Sequence, residues 1–193
     1  MESVLIVSSS KNAAEALAGF IREAFQCSVR GAESGYQAKG IFGGENSIEL
    51  ALINAPLMDE SGLELAEYIT ENTAAGCILI VKPEFAEKAV ERAEKNGIIV
   101  VSRPFNRNVL YQLIKAVDIT VRRSLRMYQE TVRLEKKIDE IKTIDKAKFL
   151  LMEFKQMTEA QSHEYLEQYA MNKRKKKYIA ALEIIDKINE QYL

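Results

Sequence analysis

Along the first hundred residues, short apolar runs alternate with longer stretches of helical periodicity. Val4-Leu5-Ile6-Val7, Ile48 to Ile53, Cys77-Ile78-Leu79-Ile80-Val81 and Ile98-Ile99-Val100-Val101 are nearly continuous in apolar side chains. Strands of a parallel sheet, buried on both faces, carry this signature. Cys27-Ser28-Val29 reads as one more strand, second in chain order. Between these runs lie helical patterns. Asn12 to Phe25 puts Ala16, Phe20, Ile21 and Ala24 on one face. Ser34 to Phe42 is weaker and runs into a Gly43-Gly44 stop, a helix follows Gly62 from Leu63 to Ile69, and Glu84 to Lys95 stops at Asn96-Gly97. Five strands alternating with five helices over about 120 residues predict an α/β fold with a doubly wound five-stranded parallel sheet. Ligands of such folds sit beyond the carboxyl ends of the strands. The residues expected there are Ser8, Ser9, Asn54, Val81 and Arg103.

From Asn108 to the end the chain has neither Gly nor Pro, and the pattern becomes helical throughout. Leu110, Ile114, Val117, Val121, Leu125, Tyr128 and Val132 follow at spacings near a heptad seam, and Leu134, Ile138 and Ile141 continue after a phase shift. Charged residues flank the stripe. Left single, such a helix would hold the stripe in water, so a coiled-coil homodimer through those seven residues is expected; the alternative is that the stripe folds back on its own domain. Residues 107–142 are assigned to this helix, overlapping the end of a domain at 1–122. Residues 143–193 hold three shorter helical patterns: Ile144 to Phe154, one from the Thr158-Glu159-Ala160-Gln161 capping box to about Met171, and Lys173 to Tyr192 with Ile179, Leu182, Ile185 and Ile188 inward. Ala147, Met152, Ala160 and Met171 read as packing residues, and a small three-helix bundle is expected.

Composition adds exclusions. The apolar fraction of 47% and charged fraction of 28% are those of a folded chain. No apolar run approaches the roughly 20 residues of a membrane helix, and Met1-Glu2-Ser3-Val4 lacks the basic region of a signal peptide. Two cysteines without CxxC spacing and a single histidine, His163, argue against a disulfide framework, a zinc site or a catalytic triad. A cytoplasmic protein without cofactor, metal or enzymatic activity is expected. The net charge of −1 hides an asymmetry. Residues 1–105 carry 9 Lys and Arg against 15 Asp and Glu, and residues 106–193 carry 18 against 13. The basic half is the candidate for a polyanion. Its densest feature is Lys173-Arg174-Lys175-Lys176-Lys177, placed at a helix start, with Tyr169, Asn172 and Tyr178 beside it and Lys146 and Lys148 able to extend the face.

Two resemblances follow from these residues. The lengths and strand ends of residues 1 to about 122 resemble the receiver domain of bacterial response regulators. That family places an acidic pair after the first strand, a phosphoryl-accepting Asp at the third, a Ser or Thr at the fourth and a Lys before Pro-Phe at the fifth. Here those positions hold Ser8 and Ser9, Asn54, Val81 and Arg103, with Gly62 at the family's spacing. Phosphoryl transfer to a carboxylate needs that nucleophile and a Mg²⁺ on hard oxygen ligands; a neutral amide, two hydroxyls and a valine provide neither. A degenerate, or pseudo-, receiver is therefore expected, with a sensor or ligand-binding protein as a possible partner.

The second resemblance is to the ANTAR domain of bacterial transcription antiterminators. Ala147-Lys148-Phe149-Leu150-Leu151-Met152-Glu153, Met157-Thr158-Glu159 and Ala170-Met171-Asn172-Lys173-Arg174 follow that family's order and spacing. Phe149 stands where Gly is usual, Ser162 where Ala is usual, and Glu167 and Gln168 where basic residues are common. The resemblance implies binding to tandem RNA hairpins in nascent leader transcripts, which prevents a terminator from forming. Phosphate contacts are then expected from Lys146, Lys148, Lys173, Arg174, Lys176 and Lys177, with Asn172 beside them. The competing reading is a protein-interaction scaffold in which the pseudo-receiver works and RNA binding is weakened or lost.

Overall fold

The computed structural model describes residues 1–43 and 48–192. Five strands, β1 (Ser3–Ser8), β2 (Ser28–Ala32), β3 (Leu50–Asn54), β4 (Gly76–Val81) and β5 (Ile99–Ser102), form one parallel sheet in the order β2-β1-β3-β4-β5. Helices α1 (Lys11–Phe25), α2 (Gly35–Phe42), α3 (Gly62–Asn72), α4 (Pro83–Ala93) and the first part of α5 (Arg107–Lys155) cover it. The register pairs Ser8 with Asn54, so the ends of β1 and β3 arrive side by side. Of the predicted stop after α2, Gly43 is the cap; Gly44 lies outside the described residues.

Alternation along each strand sends side chains to two cores. Leu5, Val7, Ala51, Ile53, Cys77 and Leu79 face α2, α3 and α4. Val4, Ile6, Leu50, Leu52, Ile78 and Ile80 face α1 and α5, where they meet Leu17, Ile21, Leu110, Ile114 and Val117. Serines start the helices: Ser10, Ser34 and Ser61 each accept a backbone N–H of the first turn. Gly76 lets α5 approach the sheet, since a Cβ there would lie 2.1 Å from Val117 and 3.1 Å from Val121.

Three seam residues are thereby corrected. Leu110, Ile114 and Val117 are buried in the core of their own domain, and Val121 is half-buried against it. They follow the alternative in which the stripe folds back, because the sheet offers them apolar partners at once. Leu125, Tyr128 and Val132 are exposed, as are Leu134, Ile138 and Ile141.

The contacts divide the chain into Met1–Arg126 and Met127–Leu193. In the second unit, Ile144 to Phe154 is no separate helix: α5 continues to Lys155, because no Gly, Pro or cap interrupts it. It is followed by α6 (Glu159–Lys173) and α7 (Lys177–Tyr192). The predicted capping box is present; Gln161 N–H donates to Thr158 Oγ1 at 3.3 Å and Thr158 N–H to Gln161 Oε1 at 2.9 Å. The core of this unit is Ala147, Leu150, Leu151, Leu166, Ala170, Ala180, Ala181, Ile184, Ile185 and Ile188. Ala147 packs as expected, but Met152, Ala160 and Met171 are exposed, and so is Leu182. Ile185 and Ile188 are buried as predicted and Ile179 is half-buried; the buried stripe of α7 also takes in Ala180, Ala181 and Ile184.

Candidate functional site

Two places gather the predicted site residues. The first lies at the carboxyl ends of β1, β3, β4 and β5. Ser8 and Asn54 are both buried, and Asn54 Nδ2 donates to Ser8 Oγ at 2.9 Å. Ser8 Oγ in turn donates to the Ser10 carbonyl at 3.1 Å and accepts the Ser10 N–H. Ser9 is exposed and donates to the Pro56 carbonyl at 3.1 Å. Arg103 reaches across the strand ends, its Nη2 donating to the Ala55 carbonyl at 2.6 Å. Val81 is buried in the opposite core and offers no polar atom. Structure thus brings Ser8, Asn54 and Arg103 together, while Ser9 and Val81 sit to either side. The group carries one cation and no carboxylate. Behind it, Gly62 lets α3 abut the strands, since a Cβ would lie 2.8 Å from the Ala55 Cβ.

The loop after β3 holds two acids that sequence reasoning passed over. Asp59 accepts the Gly35 and Tyr36 N–H groups, both at 2.9 Å, and Glu60 pairs with Lys39 at 2.9 Å. The Tyr36 N–H, then that of Gly35, hold the Asp59 carboxyl below its usual value. Both acids are engaged with α2 rather than with Asn54. Among the described residues no group of three or more His, Cys, Asp or Glu could hold a metal ion. No described helix is long and apolar enough to cross a membrane. Burial pushes the Cys77 thiol up to about 12.

The second place is the connection between α6 and α7, where the expectation of one helical face is corrected. Lys173 ends α6, Arg174 adopts the left-handed conformation at φ 52°, and only Lys177 opens α7. Arg174 N–H donates to the Met171 carbonyl at 3.0 Å and Lys175 N–H to the Ala170 carbonyl at 3.0 Å. These two bonds close a Schellman-type cap. A run of basic residues without glycine gave no sign of that turn.

The turn sorts the cations. Lys177 pairs with Glu167 at 2.5 Å, and Lys175 pairs with Glu183. Both glutamates are held below their usual values, first by these hydrogen bonds. Lys148 is raised by its hydrogen bond to Asp145 at 2.8 Å, with Glu159 at 3.7 Å. Lys148 and Lys177, expected to contact phosphate, are therefore half-buried and already paired. Lys146, Asn172, Lys173, Arg174 and Lys176 are exposed, and among the described residues none of these four cations forms an ion pair. Tyr169 is half-buried, donates to Glu183 at 3.1 Å and accepts from Lys187 at 2.8 Å, which raises the lysine. Tyr165 stacks on it with centroids 6.4 Å apart and remains exposed. His163 is exposed beside Glu167. Exposed Phe149 was not anticipated as a surface residue.

Residues 132–185 match the family described as the ANTAR domain. No curated protein matches the chain. Among solved structures, the chain is similar to the signal receiver domain of an HD domain-containing protein from Pseudomonas fluorescens Pf-5, at 18% identity and TM-score 0.59 over 65% of this chain and 92% of that one. A response regulator receiver domain protein from Clostridium thermocellum is similar at 16% identity and TM-score 0.58, over 65% and 98%. The receiver domain of a signal transduction histidine kinase from Syntrophus aciditrophicus is similar at 19% identity and TM-score 0.55, over 64% and 94%. Residues 132–185 thus match an ANTAR domain, and the N-terminal part shares the fold of receiver domains.

Proposed function

We propose that this protein is a cytoplasmic RNA-binding antiterminator, acting as a dimer on paired hairpins of nascent leader transcripts, without catalysis and without phosphorylation. The observation that carries the reading is the ANTAR match over 132–185 together with the exposed cations Lys173, Arg174 and Lys176 within it, which form no ion pair among the described residues. Such cations neutralise phosphates and displace counterions, and Asn172 next to them and exposed Tyr165, about two turns back on α6, supply hydrogen-bonding and stacking groups for unpaired loop bases. Dimerisation is supported by the stripe Leu125, Tyr128, Val132, Leu134, Ile138 and Ile141, which stays exposed on α5 and would be covered by a second copy.

Independence from phosphorylation is supported by the site at the strand ends. An amide nitrogen donating to a serine is no nucleophile, and neither Ser8 nor Ser9 offers charge to Mg²⁺. Acetyl phosphate with Mg²⁺ should leave the intact mass unchanged; a stable phosphoryl adduct anywhere near Asn54 would end this part of the reading. The main test is a gel shift on a two-hairpin leader RNA at several salt concentrations. Tight, salt-dependent binding is expected. One observation favours the scaffold reading: Glu167 and Glu183 neutralise two of the five cations of the turn. Absence of hairpin binding, with the pseudo-receiver retaining a protein partner in pull-down, would decide for that scaffold.

A further inference from the structure

Asn54 and Arg103 also border a cavity of about 220 Å³. Its walls are largely apolar, with Ala13, Leu17 and Phe20 from α1 facing Ile80, Phe105 and Leu110. Three polar side chains reach it, Asn54, Arg103 and Arg107, and no carboxylate lines it. Arg103 uses Nη2 on the Ala55 carbonyl; its Nε is buried and has no hydrogen-bond partner among the described residues. That N–H is out of reach of solvent, but Arg103 is only half-buried and its side chain lines the hollow as a cation with no carboxylate opposite it. Asn54, only 7% exposed, has two amide N–H donors, and its bond to Ser8 occupies one. The Arg107 guanidinium lies over the Phe20 ring, 5.7 Å from its centroid, at the same hollow. Asn54 and the nearby Ser8 are uncharged, so the two arginines face the hollow without a carboxylate among its lining residues.

We propose that this cavity binds a small organic carboxylate with a short apolar body. The carboxylate lies between the guanidinium groups of Arg103 and Arg107 with the Asn54 amide beside them, and the hydrocarbon part lies against Leu17, Phe20 and Phe105. A guanidinium fork suits the two oxygens of a carboxylate. The volume equals that of roughly seven waters at ~30 Å³ each, enough for an acid of a few carbons. Inorganic phosphate shares the anionic chemistry but leaves the apolar walls without a partner. The inference does not rest on RNA binding, and its readout contains no RNA.

The test uses the full chain. Calorimetric titration and amide NMR are recorded with butyrate, benzoate, benzamide and inorganic phosphate. Saturable binding of at least one acid is expected, with shifts centred on Asn54, Arg103 and Phe105, and little response to benzamide or phosphate. Arg103→Met should weaken binding about tenfold or more, and Arg107→Gln less, as loss of charge-assisted hydrogen bonds requires. Ala13→Leu, which narrows the hollow and keeps every donor, should also abolish binding; should Arg103→Met not fold, this variant and Arg107→Gln decide. The proposal is overturned if neither acid binds up to about 20 mM, a ceiling set near the weak-affinity limit. It is equally overturned if phosphate or benzamide binds as well as the acids, or if the variants bind like the wild type.

Discussion

The first third of α5 and its middle carry one continuous apolar pattern and meet opposite fates. Leu110, Ile114 and Val117 are 1%, 0% and 7% exposed against the sheet, whereas Tyr128 and Val132 are 68% and 45% exposed. Helical periodicity says that a stripe exists; it is silent on what covers it. The basic run at 173–177 repeats the contrast on a smaller scale. Lys175 and Lys177 are committed to glutamates of their own domain, while Lys173, Arg174 and Lys176 are not. In both cases residues alike in sequence divide into those that hold the fold together and those available to a partner.

Substitutions can break this division, and the core comes first. Ile114→Ala should destabilise the N-terminal domain by about 2–5 kcal/mol, the cost of an emptied buried site. Thermal or urea unfolding would read it. Val132→Ala, on the same stripe, should cost the isolated chain under about 0.5 kcal/mol, as exposed positions do. Equal losses would erase the contrast.

Next in size is assembly. Leu125→Asp with Val132→Asp should convert a dimer to a monomer in sedimentation at micromolar concentration while circular dichroism stays helical. A wild-type monomer, or a mutant that still dimerises, would remove the exposed stripe from the model of assembly. The apolar heptad pattern announced a partner for all seven seam residues. It could not announce that three of them find theirs in β-strands tens of residues upstream, because that packing depends on non-local topology.

For the basic turn, Lys173→Ala with Lys176→Ala should weaken hairpin binding and flatten log affinity against log salt by about 1.4 to 1.8, two contacts at 0.7–0.9 each. Lys177→Ala should do less, because Glu167 already neutralises that cation. Glu167→Gln sharpens the comparison from the other side: freeing Lys177 should steepen the salt dependence. A larger effect from Lys177→Ala than from the double variant would reverse the sorting.

The smallest effect concerns acid. The folded-state values of Glu167 and Glu183 lie below the ordinary 4.5. Their pairs therefore contribute stability above that value and lose it as pH falls through the lowered values. Both are surface pairs, so the contribution is slight. Glu167→Gln with Glu183→Gln should flatten the loss of ellipticity in the acid limb below about pH 4.5, and an unchanged limb would show that the pairs carry no stability.

Sequence alone determined the alternation of strand and helix, the capping box at Thr158 and Gln161, the residues standing at the strand ends and the exposed basic character of the C-terminal part. These follow from local rules: periodicity of side chains, hydrogen bonds between residues three or four apart, and the chemistry each residue type can perform. Tertiary structure alone decided that α5 runs unbroken to Lys155, that Leu110, Ile114 and Val117 belong to the sheet, and that Met152, Ala160 and Met171 face outward. It also decided that the basic run bends at Arg174 and that Glu167 and Glu183 claim two of its cations. At the strand ends it set Arg103 and Asn54 beside a largely apolar hollow between α1 and the start of α5. Each of these depends on which distant groups arrive next to one another, and an amino-acid pattern carries distances along the chain, not through space.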